Sequence, residues 1–178
     1  MKGGEEMTKL NKRNEKGFTL VELLIVIAII GVLAGAILIV INPAQLLAKS
    51  RDSQRLQDLD SLNKAITLAI AEQEITITTT TGNSGTGTRS VTGGGWVGFT
   101  LFTGKTAGLG KYIPTLPVDP TNTGNYVYSY AADATSGSYE LNAVLESTDN
   151  QAKMGTDGGS SATKWEVGTN LELIDPTP

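Results

Sequence analysis

Apolar positions are spread unevenly along the chain. From Phe18 to Ile41 the only charged residue is Glu22. At 1.5 Å rise per residue, a helix over this run is about 36 Å long, against about 30 Å for a bilayer hydrocarbon core. The pattern predicts a membrane-spanning helix. It breaks at Asn42-Pro43, where a proline either kinks a continuing helix or opens a new one as its first residue. Beyond it, Leu46, Leu59, Leu62, Ile66, Ala69 and Ile70 recur mainly at three- and four-residue spacing, with Lys49, Arg51, Asp52, Arg55, Asp58, Asp60 and Lys64 between them. That predicts an amphipathic helix whose charges form a solvated face or meet other subunits.

From Ile75 the period changes. ITITTTTGNSGTGTRSVTGGG has no helical repeat and predicts a long exposed connection with at most one short strand. Trp96–Phe99, Leu101 and Phe102 then supply core aromatics for a short helix or strand. Lys111–Pro120 contains three prolines and is extended, because each proline disfavours helix in the residue before it. Tyr126–Tyr130 alternates, as do Tyr139, Leu141, Ala143 and Leu145 against Glu140, Asn142, Val144 and Glu146. These are two strands of a hairpin joined by residues 131–138. A third strand is expected around Lys164–Val167 and a fourth at Leu171–Ile174. The class is α+β: a long N-terminal helix, half transmembrane and half amphipathic, packed on a small antiparallel sheet.

Composition narrows the function. The chain of 178 residues has a net charge of −4 and a pI near 4.8, so it lacks the positive field that drives phosphate-backbone binding, and direct nucleic-acid binding is not expected. It has no cysteine and no histidine, which removes disulfides, thiolate chemistry and the commonest general base and metal ligand. No Ser/Lys or paired-carboxylate motif replaces them. A building block is expected rather than an enzyme, with no cofactor.

The residues before the span, MKGGEEMTKLNKRNEKG, carry Lys2, Lys9, Lys12, Arg13 and Lys16 against three Glu. This charge bias keeps the N-terminus cytoplasmic and sends the rest across. An ordinary secretory signal has a shorter apolar core. A plain anchor fits the length but gives no reason for Glu22, although a carboxylate near the end of a span can snorkel to the interface.

The stretch Gly17-Phe18-Thr19-Leu20-Val21-Glu22, followed by an apolar run through Gly35 and preceded by a basic leader, closely resembles the processing site of type IV prepilins and pseudopilins. The resemblance implies cleavage between Gly17 and Phe18 by a membrane-embedded prepilin peptidase, N-methylation of the new Phe18 amine by the same enzyme, and a homopolymer of pilin subunits. In that polymer the Phe18 amine of one subunit meets the Glu22 carboxylate of a neighbour. It further implies an assembly ATPase and an inner-membrane platform protein as partners. The precursor would be a single-pass protein of the cytoplasmic (inner) membrane, and the assembled filament extracellular.

The expected organisation is a removed leader at 1–17, a transmembrane and filament-core helix at 18–41, its amphipathic continuation at 42–74 and a globular head at 75–178. The expected function is a pilus subunit serving adhesion, twitching motility or DNA uptake. A pseudopilin of a type II secretion system is the alternative within the same structural family, favoured by Tyr112-Ile-Pro-Thr-Leu-Pro-Val-Asp-Pro120. A membrane-anchored extracytoplasmic binding protein is the alternative from another class. The resemblance departs at Pro43, since most pilins carry a proline earlier in the helix. Ser147–Asn150 and Thr156–Gly159 gather oxygen ligands of the type calcium takes, and major pseudopilins bind calcium in the corresponding region. The spacing defines no site, however, and such clusters are ordinarily turns, so no metal ligand is assigned.

Overall fold

The computed structural model describes residues 17–174, without the side chains of 38–40. The leader up to Lys16, with its basic residues, lies outside the described residues. The chain divides into two units at the Asn42-Pro43 junction.

The first unit contains one described helix, α1 (Leu20–Ile41). Its described apolar side chains are exposed, and Leu20–Ile37 is long and apolar enough to cross a membrane. A helix apolar on every side suits lipid or the packed interior of an assembly, not water. It ends where Asn42 turns left-handed at φ 45°, ψ 79°. Asparagine tolerates this region better than most residues.

Helix α2 (Pro43–Ala71) opens the second unit with proline as its first residue. Of the two alternatives at Pro43, a new helix is the one observed. There a proline costs nothing, because its missing N–H would have had no helical partner. The helix ends three residues before the expected limit at 74, and Glu74 N–H closes onto Ala69 C=O at 2.8 Å.

Two antiparallel sheets follow. Strands β1 (Ile75–Ile77) and β3 (Phe99–Leu101) form a pair, while β2 (Thr80–Asn83), β4 (Ser129–Asp133), β5 (Ser138–Ala143) and β6 (Trp165–Gly168) form a sheet in the order β2-β4-β5-β6. The core gathers Leu59, Leu62, Ile66 and Ala69 of α2 against Trp96, Leu116, Tyr128, Tyr130, Tyr139 and Leu141. At roughly 1.5–3 kcal/mol per large apolar side chain fully buried, this contact is what seats the helix on the sheets.

Several expectations need correction. The Thr/Gly stretch is not a mainly exposed connection: it supplies both β1 and β2, and Ser84 is buried. The sheet strand does not begin at Tyr126. Tyr126 N–H instead closes a turn onto Thr123 C=O at 3.1 Å, and Tyr128 N–H donates to Ser84 Oγ at 2.9 Å, which delays strand pairing until Ser129. Ala131–Asp133 therefore belong to β4, and the hairpin turn is 134–137, where Asp133 accepts from the N–H groups of Thr135 and Ser136. Leu46 is half exposed rather than part of the stripe, because the elements beside that end of α2 are polar: Thr148 N–H donates to Gln45 Oε1.

Along β5, Glu140 and Asn142 are buried as well as Tyr139, Leu141 and Ala143. The expected fourth strand at Leu171–Ile174 is absent, and the backbone there folds back instead, with Leu173 and Ile174 N–H both donating to Glu140 Oε2 at 2.8 Å. Ser147–Asn150 is not an open loop: Thr148–Met154 is helix α3.

Candidate assembly site and the clamp in the head

Gly17, Phe18 and Glu22 lie together at the start of α1. Phe18 is 90% exposed, and a Cβ at Gly17 would meet nothing within 4 Å, so the backbone at this junction is open. Thr19 is the N-cap of α1. Its Oγ1 accepts from Glu22 N–H at 3.2 Å, while Glu22 Oε2 accepts from Thr19 N–H at 3.1 Å and from the Thr19 hydroxyl at 3.0 Å. This reciprocal capping box satisfies two N–H groups that the first helical turn would otherwise leave unpartnered. Both bonds to the carboxylate use Oε2, and Oε1 accepts none among the described residues. The box is written in the sequence as Thr-x-x-Glu ahead of an apolar run, so it is legible without the structure.

The Phe18 nitrogen is an ordinary peptide N–H in the uncleaved chain, so the expected amine–carboxylate pairing has no counterpart within it. The helix beyond Glu22 offers no second charge through Ile41. What it offers is surface: Leu23, Ile27, Ile30, Val32 and Leu33 are all more than half exposed.

Residues 12–38 match the family described as Prokaryotic N-terminal methylation motif. The chain carries the signature of type IV pilins and pseudopilins. Proteins bearing this prepilin-type motif are structural rather than enzymatic, and the motif implies processing by a prepilin peptidase and polymerisation as pilins do. With α1 it fits a membrane-anchored precursor. No curated protein and no solved structure matches the chain significantly.

The second unit holds a buried charged site. Asp52 and Arg55, expected on a solvated face or at contacts with other subunits, are fully buried. Arg55 donates through Nε and Nη2 to the two oxygens of Asp119 at 2.6 and 2.8 Å, through Nη1 to Asp52 at 3.0 Å and through Nη2 to Glu146 at 2.5 Å. Its guanidinium stacks 5.1 Å from the Tyr126 ring. Arg51 adds a second ion pair to Glu146. Asp52 also accepts from the N–H groups of Glu146 and Ser147 at 2.7 and 2.9 Å.

One arginine thus ties α2 to the Leu116–Pro120 segment and to the chain leaving β5. Hydrogen bonds from Arg51, and after them from Arg55, outweigh burial and hold Glu146 down to about 2. Burial would raise Asp52, but the backbone N–H groups of Glu146 and Ser147 prevail and lower it. The signal was again present in the sequence, since extending the Leu59–Ala69 stripe backwards at three- and four-residue spacing lands on Arg55 and Asp52.

The oxygen-rich residues considered for calcium are engaged with the protein. Asp149 pairs with Lys49, Asn150 donates to Asp52 at 3.1 Å, and Asp157 accepts from the N–H groups of Gly159 and Glu166. Among the described residues no three His, Cys, Asp or Glu side chains are grouped to hold a metal ion.

Proposed function

We propose that the chain is a type IV pilus subunit, cleaved between Gly17 and Phe18, N-methylated on Phe18 and polymerised through the helix at 18–41. The observation that carries this reading is the state of Glu22, a lone carboxylate in an exposed apolar helix, bound to its own helix through Oε2 only. Cleavage converts the Phe18 nitrogen into an amine that is largely protonated near neutral pH. The amine of one subunit can then meet Oε1 of a neighbour while Oε2 keeps the capping box intact. An unpaired charge in lipid is costly, so docking is rewarded in the one axial register that pairs amine with carboxylate. The apolar flanks of the helices pack in the same step.

In this scheme the leader is 1–17, the amphipathic helix that follows the span is α2 (Pro43–Ala71) and the head is 75–178. The precursor sits in the inner membrane with its N-terminus cytoplasmic. The filament is extended and retracted by an ATPase through a platform protein, in the service of adhesion, twitching motility or DNA uptake. Replacing Gly17 with valine tests the first step. The β-branched side chain at the scissile position is expected to leave an uncleaved precursor in the membrane, read as retention of the leader by mass; normal maturation of the variant would contradict the assignment.

A second reading, a pseudopilin of a type II secretion system, is favoured by Leu116-Pro-Val-Asp-Pro120, whose Asp119 anchors the clamp in the head. Loss of exported proteins on deletion, with no long surface filaments in the parent strain, would select it over the pilus.

A further inference from the structure

Two fully buried carboxyl groups of the second unit have no cation among the described residues. Glu140 on β5 and Glu166 on β6 are 0% and 1% exposed and lie diagonally on the same face of adjacent strands, Glu166 standing opposite Asn142, two residues along from Glu140. Glu140 Oε2 takes the N–H groups of Leu173 and Ile174, and its Oε1 only a 3.5 Å contact from Asn142. Glu166 Oε2 takes Ser161 N–H at 2.8 Å, whereas its Oε1 is buried with no partner. The other acid facing the pair is Asp157, on the loop after α3, which accepts from Glu166 N–H. Among the described residues no salt bridge reaches any of the three. The loop backbone closes so tightly over Glu166 that a Cβ at Gly159 would lie 2.0 Å from its Oε2.

Two ionised carboxylates do not stay buried side by side without a cation, whereas a carboxylic acid and a carboxylate do, because one then donates to the other. The geometry points to a proton-dependent latch: Glu166 carries a proton on its orphaned oxygen and donates it to Glu140, which in turn holds the returning backbone at 173–174, and loss of that proton frees the 157–174 segment. Deprotonation moves one H⁺ to solvent and forms or breaks no other covalent bond.

Burial, followed by the neighbouring Glu140 and Asp157 charges, raises Glu166 to about 7 against the opposing bond from Ser161. Since the folded value lies above the unfolded one, the stabilisation is complete below about 4.5 and is lost as pH rises through about 7. The latch depends only on the head and not on what the chain assembles into.

The test is hydrogen–deuterium exchange on the full-length chain in detergent micelles between pH 5 and 8.5, corrected for intrinsic exchange rates, with α2 peptides as the internal reference. Protection of peptides covering 157–174 is expected to fall at least about tenfold as pH rises through 7, ahead of α2. Glu166→Gln, which is neutral at every pH and can still donate to Glu140, should remove that fall. Glu140→Gln, which donates to an ionised Glu166, should remove it as well and serves if the first variant does not fold. A pH-independent wild type, or a fall that persists unchanged in the folded variants, would overturn the latch.

Discussion

The two units differ in how much of their own chemistry they complete. In the second unit, Arg55 is surrounded by Asp52, Asp119 and Glu146, and every buried charge of that clamp has its partner within the unit. In the N-terminal helix, Glu22 has only its own cap and no cation among the described residues, and the apolar surface around it is exposed. A region that satisfies itself is a finished domain, whereas one that leaves a charge and a full apolar surface uncovered is built for another molecule or for lipid. The same residue type therefore does opposite work in the two places.

The largest effect that would break this contrast is expected at Arg55. Arg55→Met leaves three acidic groups clustered without their central cation and should destabilise the full-length chain by about 3–5 kcal/mol, read by chemical denaturation in detergent micelles. A loss below about 1 kcal/mol would mean the clamp is not what holds α2 to the head. Acid should attack the same site. Glu146 is depressed in the folded state, so its contribution is present above the unfolded carboxylate range near 4.5 and declines as pH falls towards about 2. Glu146→Gln should flatten the acid limb of a stability–pH curve over that window. The opposite sign is expected at Glu166, whose contribution fails on the alkaline side. The smallest effect concerns Trp96, which is buried and donates from Nε1 to Pro117 C=O at 3.0 Å. Trp96→Phe keeps most of the apolar volume but strands that carbonyl, for an expected loss of about 1–3 kcal/mol in the same denaturation assay.

The sequence was far more legible in the first unit than in the second. A helix in lipid or in a filament core needs only length, apolarity and a processing signal, all of them contiguous from Gly17 to Ile41. The head depends on pairs remote in sequence, such as Arg55 with Asp119 and Glu140 with residues 173–174, which local periodicity does not reveal. Charges at Asp52 and Arg55 read as solvated or inter-subunit because, although the two pair with each other one turn apart, their other partners, Asp119 and Glu146, are remote in sequence. Tyr126–Tyr130 alternated correctly, yet pairing began at Ser129, since register is set by the opposing strand and by the Thr123–Tyr126 turn. The capping box at Thr19 is the reverse case: a local signal, Thr-x-x-Glu, gives Glu22 a partner in its own helix turn besides the interface or a neighbouring subunit.

The most direct test of the central claim is intact mass and N-terminal sequencing of sheared surface filaments from cells making either this chain or Glu22→Ala. The account predicts filaments whose subunit begins at methylated Phe18, and an Ala variant that is cleaved to the same residue but missing from the filament fraction. A chain that stays in the membrane with Met1 or Lys2 at its start, or an Ala variant that enters filaments as well as the parent, would contradict it.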